Sequence, residues 1–227
     1  MGVRQLSELR TDLKLTLDNR DDLSDTQLNY YINMAYNHVS QMEIRWHREL
    51  ETVYDIALDA GVASYDVDET TVGFQICDIV DATFYDATSI ATTTTRYDIQ
   101  PREINWINKQ TLSQYSGGPR HYCWWQDKIF LAYSPGTDDE DKIIRLTVYR
   151  DPADLSLDTD KTVLARYWDR AIVLGAKWML ELDLGYGEQA EASRQEYVAW
   201  INEKRNATES QSRDTRRRTT IRHEPYQ

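Results

Sequence analysis

Four histidines, two cysteines and 38 acidic residues are the side chains in this 227-residue chain that could do chemistry. His38, His47, His121 and His223 are scattered, and none stands with cysteine or carboxylate at a zinc-ligand spacing. His121-Tyr122-Cys123 comes nearest, since alternate residues of a strand face one way, but two ligands without a second pair do not hold zinc. No glycine-rich phosphate loop, serine elbow or kinase set occurs, and Gly185-Tyr186-Gly187 reads as a helix break. Two carboxylates at the right separation would suffice for glycoside hydrolysis, so a paired-acid hydrolase stays open as an alternative. Asp138-Asp139-Glu140-Asp141 lacks the ordered ligand spacing of a calcium loop and reads as a solvated turn. No cofactor and no metal are expected.

Aromatic and basic residues point toward binding. Seven Trp and fifteen Tyr exceed what a modest core needs, and such residues are enriched at protein interfaces. Trp124 and Trp125 are adjacent on a predicted strand, so one ring goes to each face and one of the two is a candidate for a partner surface. Near the C-terminus Arg213, Arg216, Arg217, Arg218 and Arg222 stand against Asp214 and Glu224, a local +3 that leaves −15 on the remainder. Such an end can meet nucleic acid, dock into an acidic protein groove or simply solubilise. The formal charge of −12 argues against a general nucleic-acid binder, which needs Lys and Arg along the phosphate path.

The elements that must carry these residues centre on Val163 to Leu184. Leu164, Trp168, Ala171, Ile172, Gly175, Trp178, Met179 and Leu182 recur at helical steps of three and four, while Val173, Leu174, Ala176 and Leu180 widen the apolar surface. A central helix of about twenty residues, roughly 30 Å long, follows, capped by Asp160 or Thr162 and ended by Gly185. Leu6, Leu9, Leu13 and Leu17 predict a first helix over Val3 to Leu17. Ser24-Asp25-Thr26-Gln27 is a capping-box pattern opening a second helix, with a stripe of Leu28, Ile32, Ala35, Val39 and Met42 reaching Trp46. A fourth amphipathic helix spans Glu188 to Arg205, through Ala190, Tyr197, Trp200 and Ile201.

Between the helical ends the period changes to two. Glu51 to Leu58, Ser64 to Val67, Gln75 to Tyr85 and Ser89 to Tyr97 read as strands, the last including the threonine run Thr92 to Thr95. Pro101 opens a short helix through Ile104, Ile107 and Leu112, which Ser116-Gly117-Gly118-Pro119 ends. His121 to Trp125, Lys128 to Tyr133 and Ile143 to Tyr149 read as an antiparallel meander. The fold class is therefore α+β: a four-helix bundle from residues 1–49 and 151–206, an inserted antiparallel β-rich lobe at 50–150, and an extended C-terminal arm at 207–227 too poor in apolar residues to order alone. Cys77 and Cys123 make no disulfide framework, no signal peptide is recognised, and no window is apolar enough to span a membrane, so a reduced cytosolic origin is expected.

In layout and short phrases the chain resembles the head-to-tail connector, or adaptor, proteins of tailed bacteriophages. The phrases are Leu9 to Leu17 before a Ser-Asp turn, Leu28-Asn29-Tyr30-Tyr31-Ile32-Asn33-Met34-Ala35, Tyr97-Asp98-Ile99-Gln100-Pro101, Ile129 to Pro135, and Leu146 to Pro152 before the long helix. The resemblance implies a non-enzymatic virion protein of the neck, assembled from host cytoplasm as a ring of twelve copies. The portal protein would meet the bundle, and a tail or nozzle protein would meet the lobe through Trp124 or Trp125. Genomic DNA would pass the lumen without specific binding. It also implies an arm laid into the portal, carrying Arg213, Arg216, Arg217, Arg218, Ile221, Arg222 and Tyr226. A virion-associated cell-wall hydrolase, or a nucleic-acid module acting through the basic tail, are the alternatives.

Overall fold

The computed structural model describes residues 4–18, 20, 22–42, 47–92, 95–110 and 118–220, with the backbone alone at 92 and 206–220. The fold class is α+β. The chain forms two compact units, one from Met1–Glu49 with Pro152–Gln227 and one from Leu50–Asp151.

The helical unit contains α1 (Leu6–Thr16), α2 (Asp25–Met42), α5 (Asp169–Asp183) and α6 (Gly187–Thr220). The capping box at α2 forms as its sequence dictates: the Ser24 amide donates to Gln27 Oε1 at 3.0 Å and the Gln27 amide to Ser24 Oγ at 3.3 Å. Helix α5 touches α1, α2 and α6, and its six successive residues Ala171 to Ala176 are all buried. A helix with no wet side must be covered all round, and that is the arrangement here. The closest approach is at Gly175, where an added Cβ would stand 3.2 Å from both Ala35 Cβ on α2 and Tyr197 Cε2 on α6. Gly185 ends the segment in the left-handed region (φ 80°), and the Tyr186 amide donates back to the Glu181 carbonyl at 3.0 Å.

Two helix boundaries and one stretch of buried face differ from the sequence reading. Helix α5 begins at Asp169, behind a 3-10 turn at Arg166–Trp168, rather than near Val163. The Asp160 carboxylate instead accepts from the Ser156 and Leu157 amides at 2.8 and 2.7 Å, and this local turn competes with an earlier helix start. At the other end Leu182 is exposed while Glu181 is buried, because the Ser193 hydroxyl of α6 reaches its carboxylate at 2.6 Å. The largest correction is at α6: the backbone stays helical from Ala207 to Thr220, where an extended arm is expected. That stretch has no Gly or Pro, and Glu209 and Asp214 each precede an Arg by four residues, a spacing that favours helix even without an apolar face.

The second unit is built from two four-stranded sheets. The strands are β1 (Glu51–Ala57), β2 (Ser64–Asp66), β3 (Ile76–Tyr85), β4 (Arg96–Asp98), β5 (Gln100–Pro101), β6 (His121–Trp125), β7 (Lys128–Leu131) and β8 (Ile143–Arg150), with short helices α3 (Glu69–Val72) and α4 (Ile104–Gln110). The first sheet runs β1-β8-β3-β4 and the second β2-β7-β6-β5. Ile56, Phe84, Leu146 and Val148 of the first and Tyr122, Ile129 and Leu131 of the second share one core. Helix α4 covers the other face of the second sheet through Ile107, Cys123 and Ala132.

Here, too, the sequence reading needs correction. β6 and β7 form a hairpin, but β8 leaves it to pair with β1 and β3, so the expected three-strand meander is split between sheets. The central place of β8 fits its apolar content, Ile143-Ile144 through Val148. Of the expected strand from Ser89 to Tyr97, Ile90–Thr92 is a 3-10 turn and β4 starts only at Arg96, while Thr93 and Thr94 lie outside the described residues. Pro101 is not the first residue of a helix but sits in β5, flanked by the Gln100 and Arg102 amides, which donate to the Arg120 and Tyr122 carbonyls. A proline lacks only the hydrogen bond that this two-residue edge does not ask of it.

Two outcomes follow from the helical unit. Gly175→Leu should cost about 3 kcal/mol in urea unfolding by overpacking the junction of α2, α5 and α6, whereas Gly175→Ala, gaining about 1 kcal/mol of helix propensity against milder crowding, should be nearly neutral. Burial holds His38 and His47 below the ordinary histidine value of 6.5. The unfolded chain then takes up protons first, so this part of the stability is whole above about pH 6.5 and falls as the pH drops below it. Melting should occur at a lower temperature at pH 5.5 than at pH 7.5, with a smaller difference in His47→Asn.

Candidate functional site

The histidines do not converge. His38 Nδ1 meets the Tyr197 hydroxyl at 2.7 Å, and His47 Nε2 faces the Val39 carbonyl at 3.1 Å with its ring edge-on to Trp168. His121 lies tilted against Trp106 with ring centroids 4.8 Å apart, while Cys123, the other half of the ligand-like pair, is buried in the core under α4. His223 lies outside the described residues. Among the described residues no group of three or more His, Cys, Asp or Glu side chains is placed to hold a metal ion. The Cys77 thiol donates to the Asp151 carboxylate at 2.8 Å, and burial together with that acid pushes it up to about 12, far from a thiolate nucleophile.

The carboxylates are mostly spoken for. Arg20 holds Asp22, and Lys14 holds Asp25, below the usual carboxylate range. Asp169 goes the other way because it is buried, but the groups acting on it are the Thr162 hydroxyl and the Arg4 and Arg166 cations. The acidic run 138–141 is exposed at Asp138, Glu140 and Asp141, as read from sequence, but not at Asp139. Asp139 is buried and accepts from Lys142 Nζ at 2.8 Å and from the Gly118 amide at 3.2 Å, while Lys142 also reaches Asp86 at 2.7 Å. A lysine three residues on turns one acid of the run inward, and the sequence does mark that spacing.

A cavity of about 620 Å³ in the helical unit was not foreseen; Arg4, Asp12, Arg166, Tyr167, Asp169, Arg170, Trp200 and Lys204 line it. Its cations are largely paired at home, Arg4 with Asp12, Arg170 with Glu196 at 2.9 Å and Lys204 with Glu203 at 3.0 Å. Locally balanced charge of this kind gives no anion site.

The binding surfaces suggested by the sequence divide cleanly at Trp124 and Trp125. Trp124 is half-buried against the inter-sheet core, whereas Trp125 is 50% exposed at the end of β6. It stands beside a two-residue turn in which both Gln126 (φ 48°) and Asp127 (φ 55°) are left-handed, the geometry that matches the twist of a hairpin. Of the predicted portal contacts, Arg213, Arg216, Arg217 and Arg218 lie on the helical backbone of α6; Ile221, Arg222 and Tyr226 lie outside the described residues.

Charge is unevenly shared between the units. Residues 50–151 hold 8 basic and 17 acidic side chains, a net −9, and the rest of the chain holds 18 and 21, a net −3.

A family model described as SU10 adaptor protein matches residues 4–223 of the chain. No curated protein matches it.

The two tryptophans should separate in stability measurements. Trp124→Ala should cost about 2–3 kcal/mol by denaturant unfolding, since it removes a ring packed on the core, while Trp125→Ala should stay within about 0.5 kcal/mol.

Proposed function

The chain belongs to the SU10 adaptor protein family, and from that premise we propose that it forms an adaptor ring joining the portal of a phage head to the tail. In this reading twelve copies surround the DNA channel, with a four-helix bundle from both chain ends toward the portal and the β-rich unit toward the tail. The single observation that carries the reading is the extent of the family match, which takes in residues of both compact units and all of α6. The charge division supports it: a β-rich unit at −9 repels phosphate, so DNA can slide past without sticking. Trp125 supplies an exposed aromatic of the kind that anchors interfaces, and the tail protein is its proposed partner.

The portal contact is assigned to the basic end of the chain, through Arg213, Arg216, Arg217, Arg218, Ile221, Arg222 and Tyr226. Arginine suits this role because its planar fork binds carboxylates bidentately. The helical backbone shortens the reach, since the fourteen residues from Ala207 to Thr220 span about 21 Å at 1.5 Å each rather than the roughly 45 Å of extended chain. The contact therefore lies near the end of α6, not far along a threaded arm.

Deleting residues 207–227 tests this. Among the described side chains of α6 the last buried one is Ile201, so melting of the truncated protein should be nearly unchanged, with a helical signal reduced only by the lost turns. Binding to portal-bearing heads should fall by orders of magnitude, and replacing Arg216, Arg217 and Arg218 by Ala should weaken it and blunt its salt dependence. Wild-type attachment by the truncated chain would place the grip elsewhere on the helical unit.

A further inference from the structure

Helix α2 buries Leu28, Ile32, Ala35 and Val39, and a helix half-buried in this way ordinarily carries charge on its opposite side. Here that charge is missing. From Thr26 to Met42 the chain runs seventeen residues without Asp, Glu, Lys or Arg, the longest such run in the sequence, although 28% of all residues are charged and 28% of seventeen is about five. The one histidine in the run, His38, is held below its ordinary value by burial and is neutral at pH 7. Tyr30, Met34, Asn37 and Gln41 follow at steps of four, three and four, so they share the outward side of the cylinder, with Tyr30 60% and Met34 40% exposed. Asn37 donates to the Asp154 carboxylate at 3.2 Å, and Asn33 brackets the Leu155 main chain with bonds of 3.0 and 2.9 Å. Those bonds explain the asparagines of that flank, but they ask for neither Tyr30 nor Met34.

Charge returns at the margins, with Asp154 beside Asn37 on one flank and Asp183, which accepts from the Tyr31 hydroxyl, on the other. An uncharged centre holding Tyr and Met inside a charged margin is the anatomy of a protein–protein contact. We propose that the outward face of α2 is where one copy of the chain meets the next. This rests on the ring reading above, which requires copy-to-copy contacts without saying where they lie. Charge selects both the face and its occupant. Copies of a chain at −12 repel one another where their charged surfaces meet, so contact costs least where charge is absent. A partner of opposite sign would instead be met by charge, as the arginines of α6 would meet it. Other exposed apolar side chains of the helical unit lack this setting: Leu15, Leu157, Tyr167 and Leu182 have Lys14, Asp158, Arg166 and Asp183 as chain neighbours. The eighteen residues of α2 span about 27 Å at 1.5 Å each, enough for the centre of a contact whose other side, in a closed ring, is a different surface of the neighbouring copy.

Photocrosslinking and charge insertion test the inference on the full-length chain assembled on portal-bearing heads. With p-benzoylphenylalanine in place of Met34, irradiation should join copy to copy and give a product of twice 26.6 kDa on a denaturing gel. Tyr30→Glu and Met34→Glu, both at exposed positions, should leave melting of the free chain unchanged and each cut incorporation into rings at least about tenfold. Met34→Gln, polar but uncharged, should keep most of the incorporation. Crosslinks that run to the portal or tail protein or fail to form, Glu variants that enter rings as wild type does, or a Gln variant as poor as Met34→Glu would overturn the inference and leave the adaptor reading standing. A wild-type chain that never joins portal-bearing heads would overturn both.

Discussion

The helical unit depends on one steric condition, that α5 be enclosed on all sides. Six successive buried residues leave no face on which this helix could tolerate water, and each Leu, Ile or Val among them contributes about 1.5–3 kcal/mol only if a neighbour covers it. Neither the N-terminal pair of helices nor α6 can do that alone. The two ends of the chain are therefore brought together across an intervening hundred residues, and Gly175 is where the fit is tightest, because Ala35 and Tyr197 already occupy the space of a side chain. Residue 175 is small for the reason that three helices meet there.

The same enclosure accounts for what is buried and polar. Glu181 lies under α6 and is matched by the Ser193 hydroxyl, with Lys177 at 3.8 Å, while Asp169 at the other end of α5 meets Thr162. These groups sit where the helix passes from full cover to partial cover. Polar groups at that transition are held by hydrogen bonds to the neighbouring elements, which fix the position of α6 and of the turn before α5 as firmly as the apolar contacts do. Their hydrogen bonds to Ser193 and Thr162 account for where these acids sit.

What could be read from the sequence was whatever short-range pattern alone decides. The Ser24–Gln27 box, the apolar cylinder of α5, the left-handed stop at Gly185 and the opposite facing of Trp124 and Trp125 all follow from the spacing of a few neighbours, and all are present. What could not be read was set at long range. β8 has the same composition whether it extends a hairpin or fills the gap between β1 and β3, and the second choice satisfies both of its hydrogen-bonding edges while Ile144, Leu146 and Val148 are buried on one face. Threonine preference for strands lost to the 3-10 turn at Ile90–Thr92, and the acidic run 138–141 turned one member inward because Lys142, Gly118 and Asp86 were waiting for it. On α6 the error was of another kind: the absence of apolar residues after Arg205 was equated with absence of structure, although helix propensity and charge spacing need no core to act.

That last point changes how the basic end can work in an adaptor. A disordered arm gives up conformational entropy of about 1–2 kcal/mol per residue when it binds, and fifteen such residues would consume most of what a polar segment can gain. A stretch whose backbone is already helical to Thr220 has met much of that cost before any partner arrives. It also presents its arginines at fixed angular intervals of about 100°, so that Arg213, Arg216 and Arg217 fall toward one side of the cylinder while Arg218 begins the next. A helical basic segment can match the spacing of acids on a partner in a way that an extended chain cannot, and the helix costs it only reach.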